Sequence, residues 1–78
     1  MRTLQGMRMN VDYMMEQMRI NAINDTFEKF KKADRRYYET SEGGSEVTKL
    51  FKELEELGAN MEYVIEVDLE IRNEVFGL

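Results

Sequence analysis

Carboxylates are the side chains whose type and spacing come closest to a reactive site in this sequence. Five of them lie within a short C-terminal stretch, at Glu62, Glu66, Asp68, Glu70 and Glu74. Carboxylate clusters of this kind bind hard cations such as Ca²⁺, Mg²⁺ or Mn²⁺. Four of them recur every four residues, at Glu62, Glu66, Glu70 and Glu74, and so would form a single acidic stripe along a helix. Such a stripe could face solvent or a partner protein.

A further pair, Glu53 and Glu56, makes the pattern similar to helical phosphohydrolases that use two acidic helix motifs around Mg²⁺. The second motif does not match, because Glu70 is followed three residues later by Asn73 rather than by an acid. The chain also has no His and no Cys, which excludes thiolate zinc sites, Cys or His nucleophiles and imidazole acid–base chemistry. We therefore expect no catalytic residue, no metal and no cofactor, and keep a Mg²⁺-dependent phosphohydrolase as a remote alternative.

The charge is divided unevenly along the chain. The net charge is −5, with eight Lys/Arg against six Asp/Glu in residues 1–39 (+2) and three against ten in residues 40–78 (−7). So acidic a chain is not expected to bind nucleic acid. No apolar run is long enough to span a membrane and no signal peptide is recognisable. We expect a soluble cytoplasmic protein, with leaderless secretion left open.

A small polar stretch at residues 40–45, containing Gly43 and Gly44, divides the chain into two arms. The first arm has apolar residues every three or four positions, which predicts a helix over about residues 10–38 with Asn10 as its N-cap. Residues 1–9 are expected to be a flexible basic tail. These elements place a turn at residues 39–45 and one domain over residues 10–78.

The second arm carries a heptad repeat from Val47 to Leu78, in which Asp68 is the one polar seam residue. The repeat predicts a helix over about residues 46–76. The segment Leu57-Gly58-Ala59-Asn60 also has the features of a helix stop, so a break at 58–60 stays open. Beyond it, alternating β-prone residues allow a β-α-α-β fold as the competing arrangement. The acidic stripe with a period of four favours helix.

An antiparallel hairpin folded at about residue 42 would set Phe30 level with Leu54 and Asp68 level with Glu16, one turn from Arg19. A carboxylate at a seam position is costly to bury unpaired. We therefore expect Arg19, from the same chain or from a partner, to pair with Asp68.

The apolar surface is wider than two helices can cover, which predicts a homodimer or heterodimer assembled as an all-α four-helix bundle. Methionines at helical spacing suit an adaptable recognition surface. The residues expected to bind the partner are Met14, Met18, Arg19, Glu62, Tyr63, Glu66, Val67, Asp68, Glu70 and Glu74.

Two helical arms, the turn Glu42-Gly43-Gly44-Ser45 and the late run from Tyr63 to Asp68 resemble the WXG family of small type VII secretion substrates and export partners. The chain has no Trp and therefore lacks the Trp-x-Gly turn. The resemblance implies a non-catalytic protein–protein interaction module that pairs with a helical chain for export. The alternative is a phage-type or regulatory inhibitor whose acidic helix face, from Glu62 to Glu74, blocks a basic site on a host protein.

Overall fold

The computed structural model describes the backbone of residues 2–77 and the side chains of residues 11–77. It contains three α-helices: α1 (Arg2–Thr40), α2 (Gly44–Glu56) and α3 (Met61–Phe76). The all-α prediction is confirmed, and there is no strand within residues 2–77. The β-α-α-β alternative is wrong, because residues 61–72 are helical throughout.

Helix α1 begins earlier than the apolar spacing predicted. It is continuous from Arg2, so residues 2–9 extend the helix instead of forming a separate tail, and Asn10 lies inside the helix rather than at its cap. No proline interrupts this stretch. At its other end the turn is set by Thr40, whose Oγ1 accepts the Glu42 N–H at 3.2 Å, and by Gly43 at φ 81°.

The second arm, predicted as a helix over about residues 46–76 with a possible break at 58–60, is two helices, and the break lies at residues 57–60. Gly58 takes φ 84°, the left-handed conformation that ends many helices. Asn60 then starts α3, its side chain accepting the Tyr63 N–H at 3.3 Å. These local signals outweigh the continuous heptad, because Gly58 and Asn60 together end one helix and begin the next.

This break reverses the direction of the chain. Helix α2 runs antiparallel to α1, since Gly44 adjoins Tyr37 and the Leu57 carbonyl lies 3.2 Å from an Arg19 guanidinium nitrogen. Helix α3 runs parallel to α1: the Phe27 and Tyr63 rings are 5.6 Å apart, and farther along both helices Tyr38 and Phe76 are 5.7 Å apart. The expected hairpin of two long helices is therefore replaced by a three-helix arrangement.

Helices α2 and α3 pack on the C-terminal half of α1 only. The buried core there contains Phe30 of α1, Leu50 and Leu54 of α2, and Val64 of α3. Val67 and Ile71 continue the buried face of α3. Phe30 and Leu54, expected at the same level, do meet in this core.

The molecule is elongated because α1 is much longer than its two neighbours. Its extents are 60 × 22 × 14 Å, and the 39 residues of α1 account for the long dimension at about 1.5 Å per residue. Helices α2 and α3 have 13 and 16 residues and reach back only to the level of Arg19. No helix in the described part of the chain is long and apolar enough to cross a membrane.

Candidate functional site

The N-terminal half of α1 extends beyond the three-helix bundle as a single helix. We call residues 2–18 the projecting segment. Its described apolar side chains are largely open to solvent: Met18 is 68% exposed and Val11 is 52% exposed. Met14 and Met15 are similarly exposed. Solvent-facing apolar residues on an uncovered helix are typical of protein interaction surfaces.

Val11, Met14 and Met18 lie on one side of the projecting segment, and we call them the Met seam. At about 100° per residue, this side points about 150° away from the core side formed by Phe30 and Asp34. The Met seam therefore does not continue the surface that packs against α2 and α3. A protein bound there would contact the opposite side of α1.

Arg19 lies where the projecting segment meets the bundle. It pairs with Glu16 and donates a hydrogen bond to the Leu57 carbonyl. The pairing of Arg19 with Asp68 inside one chain is wrong, because the reversal at Gly58 carries Asp68 away from this level. The hydrogen bond and charge of Arg19 lower the pKa of Glu16, although both groups are exposed and such a pair adds little stability.

The remaining predicted partner-binding residues lie on α3, and most of them fall into two groups: those that face solvent and those that contact the bundle. Glu62, Glu66 and Glu70 are exposed and form a row that faces solvent. Val67 is buried in the bundle, and Glu74 forms an ion pair with Arg35 of α1.

Tyr63 is intermediate between these groups, because it is 54% exposed while one side of its ring packs on Phe27. Among the residues described, no group of three or more acidic side chains could hold a metal ion.

Asp68 faces the bundle together with a second carboxylate, Asp34. The Tyr38 hydroxyl donates a hydrogen bond of 2.8 Å to Asp68, while Asp34 is only 2% exposed and its Oδ2 has no hydrogen-bond partner. Burial, followed by the hydrogen bond and charge of Asp68, raises the pKa of Asp34 to about 7. Burial and the Asp68 charge raise the pKa of Tyr38 to about 12, so this phenol stays a hydrogen-bond donor.

Sequence reasoning missed Asp34. The signal was its spacing: Asp34 follows Phe30 by four residues and precedes Tyr38 by four, which places a carboxylate on the buried side of α1. The heptad places Asp68 at a seam position, but its proximity to Asp34 depends on α3 running parallel to α1.

A cleft of about 300 Å³ opens between the three helices beside these carboxylates. Its lining is Phe30, Asp34, Tyr37, Tyr38, Val47, Thr48, Phe51, Ile65 and Asp68. Tyr37 and Ile65 are the exposed apolar residues of this set and mark where the cleft meets solvent.

No family model, curated protein or solved structure matches this chain.

Proposed function

We propose that this protein is a non-catalytic interaction module that self-associates by pairing the projecting segments of two copies. The observation that carries the proposal is the exposure of the Met seam on a helix half that neither α2 nor α3 covers. A single helix of this length is marginally stable in water without packing. Burying the Met seam against a second copy would supply that packing.

A second copy is a suitable occupant because the seam is complementary to itself. In the sequence its spacing continues to Met7 and Leu4, giving an a/d repeat over residues 4–18. An antiparallel pair centred on Val11 sets Met18 level with Leu4 of the second copy. Between Met7 and Met18 the positions flanking the seam are Arg8, Asn10, Met15 and Gln17, of which Arg8 alone is charged, so no like charges face each other in the antiparallel pair.

Charge favours the antiparallel orientation over the parallel one. Residues 40–78 carry a net charge of −7 in each copy, and they belong to the bundle end of the molecule. Parallel pairing would bring the two acidic bundles together, whereas antiparallel pairing places them at opposite ends of the dimer. With three helices in each chain, this dimer has a two-helix centre in place of the expected four-helix bundle.

Oligomeric state tests the proposal directly. We expect light scattering at micromolar concentration to report a dimer for the natural chain and a monomer for the double variant Met14→Glu/Met18→Glu, because charges at the seam cannot be buried unpaired. The matched control is Leu69→Glu, which changes a half-exposed apolar residue on α3 and should leave the dimer intact. A monomeric natural chain, or equal dissociation by the control, contradicts the proposal.

Cysteine cross-linking tests the orientation, since the chain has no Cys of its own. Val11→Cys should form a disulfide between copies, because Val11 meets itself at the centre of the pair. Met18→Cys alone should not cross-link, but should do so when mixed with Leu4→Cys. Efficient cross-linking of Met18→Cys to itself would show a parallel pair instead.

The exposed row Glu62, Glu66 and Glu70 supports a second candidate, an inhibitor that occupies a basic site on another protein. Such binding would weaken with salt and on replacing all three residues by Gln, whereas self-association through the Met seam would change little. A role as a type VII secretion substrate or export partner stays a prediction from the resemblance. The three-helix layout departs from the two-helix layout on which that resemblance rested.

A further inference from the structure

The cleft between the three helices contains an unusual polar group for so small a bundle. Asp34 is almost completely buried, yet its Oδ2 accepts no hydrogen bond from the protein. Burying a carboxylate oxygen without a hydrogen-bond donor costs free energy, because the contacts with water that it loses are not replaced. Asp34 lines the cleft, so a small rotation of its carboxyl group would present this enclosed oxygen to a donor there.

One oxygen of the second carboxylate in the cleft already has a hydrogen-bond donor. Asp68 accepts the Tyr38 hydroxyl at 2.8 Å and lies close enough to Asp34 to raise its pKa. Two carboxylates facing the same space repel each other when both are ionised, so a bound positive charge would stabilise both. Within the described residues these two acids have no third acid beside them to complete a metal site.

The rest of the lining is aromatic and apolar. The rings of Phe30 and Phe51 are 6.3 Å apart, and those of Tyr37 and Tyr38 are 5.8 Å apart. Ring faces attract organic cations and bind alkyl chains, whereas a hydrated metal ion gains little from them. Of the α2 residues in the lining, Thr48 alone has a polar side chain and none is charged.

We propose that this cleft binds a primary alkylammonium group, with Asp34 and Asp68 accepting its N–H donors and the aromatic rings contacting its alkyl chain. The chemistry is shared by free aliphatic amines and by lysine side chains. The site lies in the bundle and uses no residue of the Met seam, so it is independent of self-association.

Binding should depend on pH in a defined direction. An ammonium group favours the ionised form of Asp34, whose pKa is about 7 in the free protein, so binding releases a proton and tightens between pH 6 and pH 8. The other groups facing this carboxyl are Asp68 on α3 and the neutral Tyr38 phenol, with Arg72 of α3 acting on Tyr38. No titratable residue of α2 lines the cleft.

The experiment is an NMR titration of the full chain with n-butylammonium, n-butanol and N-acetyl-lysine methylamide. We expect saturable shifts of the Thr48 and Ile65 amides with the ammonium compounds, and binding of butanol weaker by about tenfold or more. Tighter binding of the lysine derivative than of butylammonium assigns the natural ligand to a lysine side chain, and the reverse order assigns it to a free amine.

Asp34→Asn keeps the shape of the side chain and removes its charge, so it should weaken butylammonium binding by about tenfold. Glu70→Gln makes the same change on the exposed side of α3 and should bind like the natural chain. If Asp34→Asn does not fold, Asp68→Asn takes its place. Equal binding of butanol and butylammonium, unchanged binding in the folded Asn variant, or no saturable shift at millimolar concentrations would overturn the proposal.

Discussion

At the scale of single residues, Asp34 has the environment that departs most from what its type leads one to expect. Carboxylates are rarely fully buried unless they are paired. Here the charged group that acts on it is another carboxylate, Asp68, and burial together with that neighbour raises the pKa of Asp34 to about 7. Asp34 therefore changes between its neutral and ionised forms near neutral pH.

This pKa predicts that the contribution of Asp34 to the free energy of unfolding falls as the pH rises, which is the opposite of an exposed, paired carboxylate. The folded pKa of Asp34 lies above its ordinary value of 3.8, so its contribution is fully present below pH 4 and is lost as the pH rises through about 7. The expected slope is up to about 1.4 kcal/mol per pH unit in that window. Urea unfolding at pH 5 and pH 8 should therefore show Asp34→Asn gaining stability relative to the natural chain at pH 8.

Exposed ion pairs such as Glu16–Arg19 act in the opposite direction, because the lowered pKa of Glu16 favours folding at higher pH. The comparison with Asp34→Asn isolates the buried group, since Glu16 is present in both chains. Glu70→Gln is the control and should change the free energy of unfolding by the same amount at pH 5 and at pH 8. An equal difference between Asp34→Asn and the natural chain at pH 5 and pH 8 would contradict the prediction.

At the scale of elements, the reversal at residues 57–60 decides the fold. Gly58 supplies the positive φ and Asn60 the N-cap of α3. The sequence indicates this break through the residue types, whereas the heptad phase runs through it and suggests one helix. The direction of α3 follows once the break is accepted, because so short a connection sets two helices antiparallel, whereas the apolar spacing alone fits either direction.

Gly58→Ala should destabilise the bundle by about 1–2 kcal/mol, since an L-residue is strained at φ 84°. The added Cβ would also approach Arg19 Nη1 to 3.1 Å, although that flexible side chain can move. Gly58→Asn should lose less, because Asn tolerates the left-handed conformation better. Thermal unfolding followed by circular dichroism measures both variants, and equal stability of Gly58→Ala and the natural chain would show that the turn tolerates a side chain.

The sequence predicts the end of α1, the start of α2 and the end of α3 to within a few residues, but it does not predict the start of α1 or the buried pair. Asp34 and Asp68 are 34 positions apart in the chain, and only the parallel placement of α3 brings them together. The Met seam was recognisable by its spacing. Its exposure could not be predicted from the spacing, because exposure depends on how far α2 and α3 extend along α1.

At the scale of the whole molecule, the bundle and the projecting segment should differ in their protection. The bundle contains the buried core around Phe30 and Leu54, whereas the described side chains of the projecting segment have no partner from α2 or α3. Amides of residues 4–18 should exchange with solvent quickly in dilute solution and more slowly as the dimer forms.

Hydrogen exchange at several protein concentrations measures this difference. Protection of α2 and of the second half of α1 should stay constant, because those hydrogen bonds belong to the bundle in either state. The Met14→Glu/Met18→Glu variant provides the reference, with fast exchange over residues 4–18 at every concentration. Concentration-independent protection of this segment in the natural chain would argue against pairing.

The parallel course of α3 places its end, near Phe76, beside Tyr38 and so at the same end of the molecule as the turn between α1 and α2. In the proposed antiparallel dimer these two ends point away from each other. Two rods of 60 Å that overlap along the projecting segments by about 27 Å would hold them about 90 Å apart. The protein would then act as a rigid spacer, and the distance between its two ends would be set by the length of α1. Lengthening α1 by one turn between the projecting segment and the bundle would extend each copy by about 5.4 Å and the dimer by about 11 Å.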